Sequence, residues 1–159
     1  HPGRMTPHRS TGTHALRRGR VSTPGHIYLV SWTTRSRNPI FLDPILASAA
    51  ARILSAPVSL GDAMLLAWVL MPDHAHALLQ LGERESLSMV VGRMKARSSF
   101  AAKRISHRRI HVWHPGFQDR AIRREEDLIA AARYLVANPV RAGLVASCRD
   151  YPYWDAVWI

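Results

Sequence analysis

Apolar periodicity is missing from the start of the chain and begins near His26. Residues 1–25 carry Arg4, Arg9, Arg17, Arg18 and Arg20 with no acid among them, spaced by Pro, Gly, Ser and Thr. A segment of that kind cannot bury enough apolar surface to offset its ordering entropy. It is expected to be a flexible basic tail ahead of a single domain at 26–159. His26 to Thr34 then reads as a strand, with Ile27, Leu29, Val30 and Trp32 as its apolar content. Ala63 to Met71 is a second strand, apolar at successive positions and so suited to a central place with both faces covered. Pro72 and Asp73 make a tight connection into a third strand, His74 to Leu81.

Between and after these strands the period changes to that of a helix. Asp43 can cap a helix that starts with Pro44, and Ile45, Leu46, Ala49 and Ile53 continue it to about Ser55. A long helix begins near Ser86, with Leu87, Val90, Val91, Met94, Ala101 and Ile105 at helical spacing. Arg93, Arg97, Arg104 and Arg108 fall within roughly 60° of one another elsewhere on its wheel. A fourth strand is expected around Val112, Trp113 and Phe117, interrupted by Pro115 and Gly116. Arg124 to Ala137 is the last helix, with Glu125, Glu126 and Asp127 in the first turn, where the helix dipole favours acids. Pro139 disfavours a helical Asn138 and ends it. The aromatic segment from Asp150 is expected to dock on the body. Strand, helix, strand, strand, helix, strand, helix is the split βαβ plan of an α+β sandwich, an antiparallel sheet with helices on one face.

The charge narrows the class of partner. Lys and Arg number 22 against 11 Asp and Glu, for a formal net charge of +11 and a pI near 11.3. So basic a small domain favours a polyanion. All the cations except Lys95 and Lys103 are arginine, which grips phosphate as a planar fork and stacks on bases. The single cysteine, Cys148, allows no intrachain disulfide and points to no oxidising compartment. No apolar run reaches the ~18 residues a membrane span needs. A cytoplasmic, nucleoid-associated protein is expected, with no membrane partner.

Three features carry candidate chemistry. His74 and His76 are two apart in a strand and so share a face, a half-site for a divalent cation. In a chain with 9 histidines such a pair alone does not establish a ligand set. Tyr134 and Asn138 are spaced i, i+4 on the last helix, about 120° from its Leu128, Leu135 stripe. Read alone, that tyrosine is also compatible with an amphipathic residue at the core edge. Third, Arg93, Lys95, Arg97, Lys103, Arg104, Arg108 and Arg109 form a row without an acid, which would neutralise a phosphate backbone. Arg17, Arg18 and Arg20 in the tail and Arg141 complete the DNA-binding candidates.

The motifs resemble a known family. Met71-Pro72-Asp73-His74-Ala75-His76 resembles the metal-binding motif of the HUH single-strand endonucleases. The run from Tyr134 through Asn138-Pro139-Val140-Arg141-Ala142-Gly143-Leu144-Val145 resembles the tyrosine motif of one branch, the REP-associated tyrosine transposases. Trp113 to Asp119 is similar to the same branch. Asp73 stands where the family often has Asn, and Ala75 where it often has a larger apolar residue. The resemblance implies a ferredoxin-like fold and a metal-dependent enzyme that cuts and rejoins single-stranded DNA at repeat-derived hairpins. It implies Tyr134 as nucleophile through a 5′-phosphotyrosine, and His74, His76 and Asn138 as ligands of Mg²⁺ or Mn²⁺. It implies no small-molecule cofactor, and a monomer over a homodimer. The rival reading is a non-catalytic hairpin-binding protein. A zinc hydrolase lacks its His-Glu-x-x-His helix or cysteine pair here, and an RNA-binding ferredoxin-like domain lacks its base-stacking motif.

Overall fold

The computed structural model describes residues 22–158. Arg17, Arg18, Arg20 and most of the expected basic tail lie outside those residues. Five strands form one sheet: β1 (Ile27–Thr33), β2 (Met64–Leu70), β3 (His74–Gln80), β4 (Gln118–Ile122) and β5 (Trp154–Ala156). Their order is β4-β1-β3-β2-β5, and every neighbouring pair is antiparallel. Helix α1 (Pro44–Leu54), followed by the single turn α2 (Pro57–Leu60), links β1 to β2. Helix α3 (Leu87–Ile105) links β3 to β4. The first four strands with these two crossovers are the ferredoxin-like split βαβ arrangement, as expected.

Local chemistry sets the helix starts. The Asp43 carboxylate accepts the Ile45 amide at 2.9 Å, and Pro44 fills the first helical position. The Ser86 hydroxyl accepts the Met89 amide at 3.2 Å. Each cap satisfies an amide that has no partner within the helix.

The strands alternate between two apolar layers. Tyr28, Val30 and Trp32 of β1 and Ala75, Ala77 and Leu79 of β3 pack with Ala47, Ala50 and Leu54 of α1 and Val90, Val91 and Met94 of α3. The intervening positions face the other way. Val69 of β2 and Leu78 of β3 pack with Ala131, Ala132, Leu135 and Val136 of α4 (Glu125–Val136), and Ile27 and Leu29 of β1 join them. The helices therefore do not share one face. The β2 run is apolar on both sides, so burying it needs cover on both, and α4 supplies the second layer.

Other boundaries also differ from the sequence reading. Residues 22–25, placed in the tail, are tied to the body: Thr23 donates its amide to the Tyr28 hydroxyl at 2.8 Å, and Gly25 to the Leu81 carbonyl at 2.9 Å. Val112 to Phe117 is not part of a regular strand. Trp113 forms an isolated bridge to Thr34 and stacks near Phe41, at a centroid separation of 5.2 Å, and β4 starts only at Gln118. The buried stripe of α3 ends on Ser98 and Ala102, while Ala101 is half-buried and Ile105 exposed. The Ser98 hydroxyl is satisfied by the Met94 carbonyl and the Trp113 indole.

Candidate active site and nucleic-acid interface

The period of two along β3 decides what its histidines can do. Ala75 and Ala77 are fully buried against the α1 and α3 layer. His74 and His76 therefore project from the α4 side, with ring centroids 4.9 Å apart and planes nearly perpendicular. Register extends the row: His76 lies opposite Ser31 of β1, and Ser31 opposite Gln118 of β4. His74 lies opposite Thr33. Ser31, Thr33, Arg37, His74, His76, His114 and Gln118 line a cleft of about 390 Å³.

Burial, reinforced by the positive charges of His74, Arg141 and Arg37, lowers the His76 pKa to about 4. Its ring is neutral near pH 7 and carries a free lone pair. His74 is held through Nδ1, 2.7 Å from Asp73 Oδ1. Two adjacent imidazoles on one face fit a divalent cation. Among the described residues no three His, Cys, Asp or Glu side chains are placed to hold a metal ion together, so the pair leaves coordination positions open for other groups such as amide, water or substrate oxygens.

Tyr134 lies near the C-terminal end of α4, and α4 covers the face from which the histidines project. Its neighbours Leu135 and Val136 are buried, while Tyr134 is 56% exposed. The Arg141 guanidinium sits 3.8 Å from the centre of the Tyr134 ring. The Arg141 charge is also one of the lesser causes of the lowered His76 pKa. Tyr134, Asn138 and Arg141 are not among the residues lining the cleft. Asn138 is half-buried and opens a new helical turn, α5 (Asn138–Arg141), with Pro139 in its first turn. Pro139 was expected to exclude Asn138 from helical structure; instead Ala137 keeps helical angles, φ −78° and ψ −6°, and Asn138 starts a further turn, since a proline lacking its amide is tolerated in a first turn.

The basic row divides. Arg93 makes a two-pronged ion pair with Glu85, at 2.5 and 2.7 Å, and donates to the Ser59 carbonyl. Gly61, at φ 59°, leaves room for that pair, because a Cβ there would meet the Glu85 carboxylate. Lys95 donates to the carbonyls of His114 and Gly116 at 2.9 and 2.6 Å. Both cations hold the fold together, contrary to their expected place on a DNA-facing ridge. Arg97, Lys103 and Arg104 are exposed on α3; Arg108 is exposed too but lies beyond the end of the helix at Ile105, so the expected helical ridge does not extend to it. Phe100 is exposed on the same helix, with Arg104 5.9 Å from its ring centre.

Sequence reasoning missed Ser31, Arg37, His114 and Gln118 as neighbours of the histidines. Their placement depends on strand order and register, and no local spacing carries that information.

This fold and this histidine face belong to a known class. The family described as IS200-like transposases matches residues 22–137, and the chain belongs to it. Within that class it is similar to a REP-associated tyrosine transposase of Escherichia coli K12, 29% identical over 89 residues, 55% of this chain and 50% of that protein. A Haemophilus influenzae protein provisionally named a REP-associated tyrosine transposase is 29% identical over 94 residues, 53% of each chain. The aligned region thus spans about half the length of each relative. Among solved structures, a REP-associated tyrosine transposase bound to a REP hairpin superposes with a TM-score of 0.67 at 24% identity, covering 85% of this chain and 79% of that one. A provisionally assigned transposase from Deinococcus radiodurans gives 0.55 at 21% identity, over 73% and 92%. At these identities the structural matches establish the shared fold.

Proposed function

We propose that this chain is a metal-dependent nicking and joining enzyme for single-stranded DNA next to folded hairpins, with Tyr134 as its nucleophile. The observation that carries the reading is the placement of an exposed tyrosine on α4, the helix that covers the histidine-bearing face among the described residues. The hairpin substrate is proposed from the likeness to relatives whose names and structures involve REP hairpins.

In the proposed step, the Tyr134 oxygen attacks the scissile phosphorus. The new tyrosine–phosphate bond replaces the bond to the 3′ oxygen, which leaves as a 3′-hydroxyl after taking up a proton. The reverse reaction with another 3′-hydroxyl rejoins DNA without ATP, because the phosphotyrosine bond keeps the energy of the broken linkage. A tyrosine hydroxyl is ordinarily protonated at neutral pH, so the site has to favour the developing charge. Arg141, stacked on the ring, provides a fixed positive charge beside the attacking group. His74 and His76, with Asn138 as a third candidate, would hold Mg²⁺ or Mn²⁺. Such an ion would offset charge on the scissile phosphate. Arg97, Lys103, Arg104 and Arg108 would track the DNA backbone.

The test uses a hairpin oligonucleotide with a labelled single-stranded flank. Wild-type protein with Mn²⁺ should become covalently labelled, and Tyr134→Phe should bind the same DNA without labelling. Labelling that persists in Tyr134→Phe removes the tyrosine from the mechanism. Tight binding with no labelling by wild-type protein would favour the non-catalytic hairpin binder.

A further inference from the structure

The Asp73 carboxylate engages two partners at once. Oδ1 lies 2.7 Å from His74 Nδ1, and Oδ2 lies 3.1 Å from Arg37 Nε. The backbone beneath is pinned as well. The Asp73 carbonyl accepts the Thr34 amide at 2.8 Å and the Thr34 hydroxyl at 3.1 Å, and Thr34 is 1% exposed. The Pro72 carbonyl accepts the Phe41 amide at 3.1 Å. The turn before the histidines is thus locked to the segment that follows β1.

That segment has an unusual backbone. Ser36 and Arg37 are the only described non-glycine residues with positive φ, at 55° and 54°. Side chains with a Cβ adopt this left-handed conformation at a cost, and its occurrence at two successive residues calls for a reason. The visible outcome is that the Arg37 guanidinium reaches the Asp73 carboxylate.

A neutral histidine has one N–H and one lone pair, and the partner of one nitrogen decides which the other carries. An ionised carboxylate only accepts hydrogen bonds. Next to Asp73, Nδ1 must donate, so Nε2 keeps the lone pair.

We propose that Asp73 and Arg37 are positioning residues: Asp73 fixes His74 as its Nδ1–H tautomer, and Arg37 anchors the carboxylate that does so. The use of that Nε2 lone pair as a metal ligand rests on the function proposed above. The tautomer itself does not, and it is measured without metal.

Metal-free protein labelled with ¹⁵N-histidine is examined by long-range ¹H–¹⁵N NMR at pH 8. His74 is expected as Nδ1–H in the wild type and in Asp73→Asn, whose amide oxygen still accepts. In Asp73→Ala it is expected to shift toward Nε2–H. Mn²⁺ titrations should then show a loss of about 10- to 100-fold in affinity for Asp73→Ala, with Asp73→Asn restoring most of it. Arg37→Ala, a change at a largely exposed side chain, should retain the fold and weaken Mn²⁺ binding several-fold. A wild-type His74 found as Nε2–H overturns the proposal, as does a tautomer unchanged in Asp73→Ala. Should Asp73→Ala not fold, unaltered Mn²⁺ affinity in Arg37→Ala overturns the anchoring role. Failure of the wild type to bind Mn²⁺ overturns the metal reading instead, and the tautomer result stands apart from it.

Discussion

The two faces of the sheet come from the same strands and serve different ends. On one, α1 and α3 seal a continuous apolar layer from Tyr28 to Met94. On the other, α4 covers Leu78 and Val69, while His76 and His74, two and four residues before Leu78 on β3, face a cleft. A strand offers successive side chains to opposite faces. One seven-residue segment can therefore carry both a buried alanine row and a pair of candidate ligands. The sealed face supplies rigidity, and the partly covered face spends some of it on polar groups.

Substitutions on the two faces should separate these roles. The largest effect is expected for Tyr134→Phe, with loss of covalent DNA labelling by at least ~10³-fold, on the scale of removing a group that acts in the transition state. Its thermal unfolding should match the wild type, because the side chain is exposed. Leu79→Ala, in the sealed layer, should do the opposite. It should cost about 2–5 kcal/mol in urea unfolding and leave labelling per folded molecule unchanged. Equal loss of activity in Leu79→Ala at full folding would break the division between faces.

His76→Ala comes next: cleavage should lose its dependence on Mn²⁺ while the melting temperature holds. If EDTA leaves wild-type cleavage untouched, the histidine face has another role. Smaller effects should divide the basic row. Arg97→Ala and Arg104→Ala should each lower the salt dependence of DNA binding by about one unit of slope. Arg93→Ala should leave that slope alone and lower thermal stability, since its partners are Glu85 and Ser59. The smallest effect is expected for Arg141→Lys, which keeps the charge and loses the planar stack on Tyr134. At an exposed site that contact is worth roughly 0.5–1 kcal/mol, so the cleavage rate should fall a few-fold with DNA affinity nearly constant.

What the sequence revealed follows the range of each interaction. β1 to β3, the cap at Asp43 and the start of α3 near Ser86 were legible because period and capping act within a few residues. The His74/His76 pairing on one face was legible for the same reason. The side of the sheet taken by α4 was not, although the two-sided apolar character of β2 already required a second cover. Arg93 and Lys95 were misread because a helical wheel does not show Glu85, which precedes α3, or carbonyls 19 and 21 residues downstream of Lys95. Ser31 and Gln118 came to light only with the order β4-β1-β3. β5 is three residues long, too short for alternation to show.

That short strand bears on how the molecule behaves in company. The β2 sequence, Met-Leu-Leu-Ala-Trp-Val-Leu, has no charge, proline or glycine, the composition of segments that self-associate into stacked sheets. Without β5 its outer row of amides and carbonyls would be an open template for another chain. Leu70 instead donates to the Tyr153 carbonyl at 2.8 Å, the Leu66 carbonyl accepts the Val157 amide at 2.9 Å, and the Tyr151 hydroxyl closes on the Leu70 carbonyl. The opposite border, β4, needs no such cover, because Gln118, Asp119 and Arg120 make it polar. The aromatic segment from Tyr151 to Val157 therefore works as a selvedge, a finished margin that keeps the most cohesive strand from being extended by a neighbour.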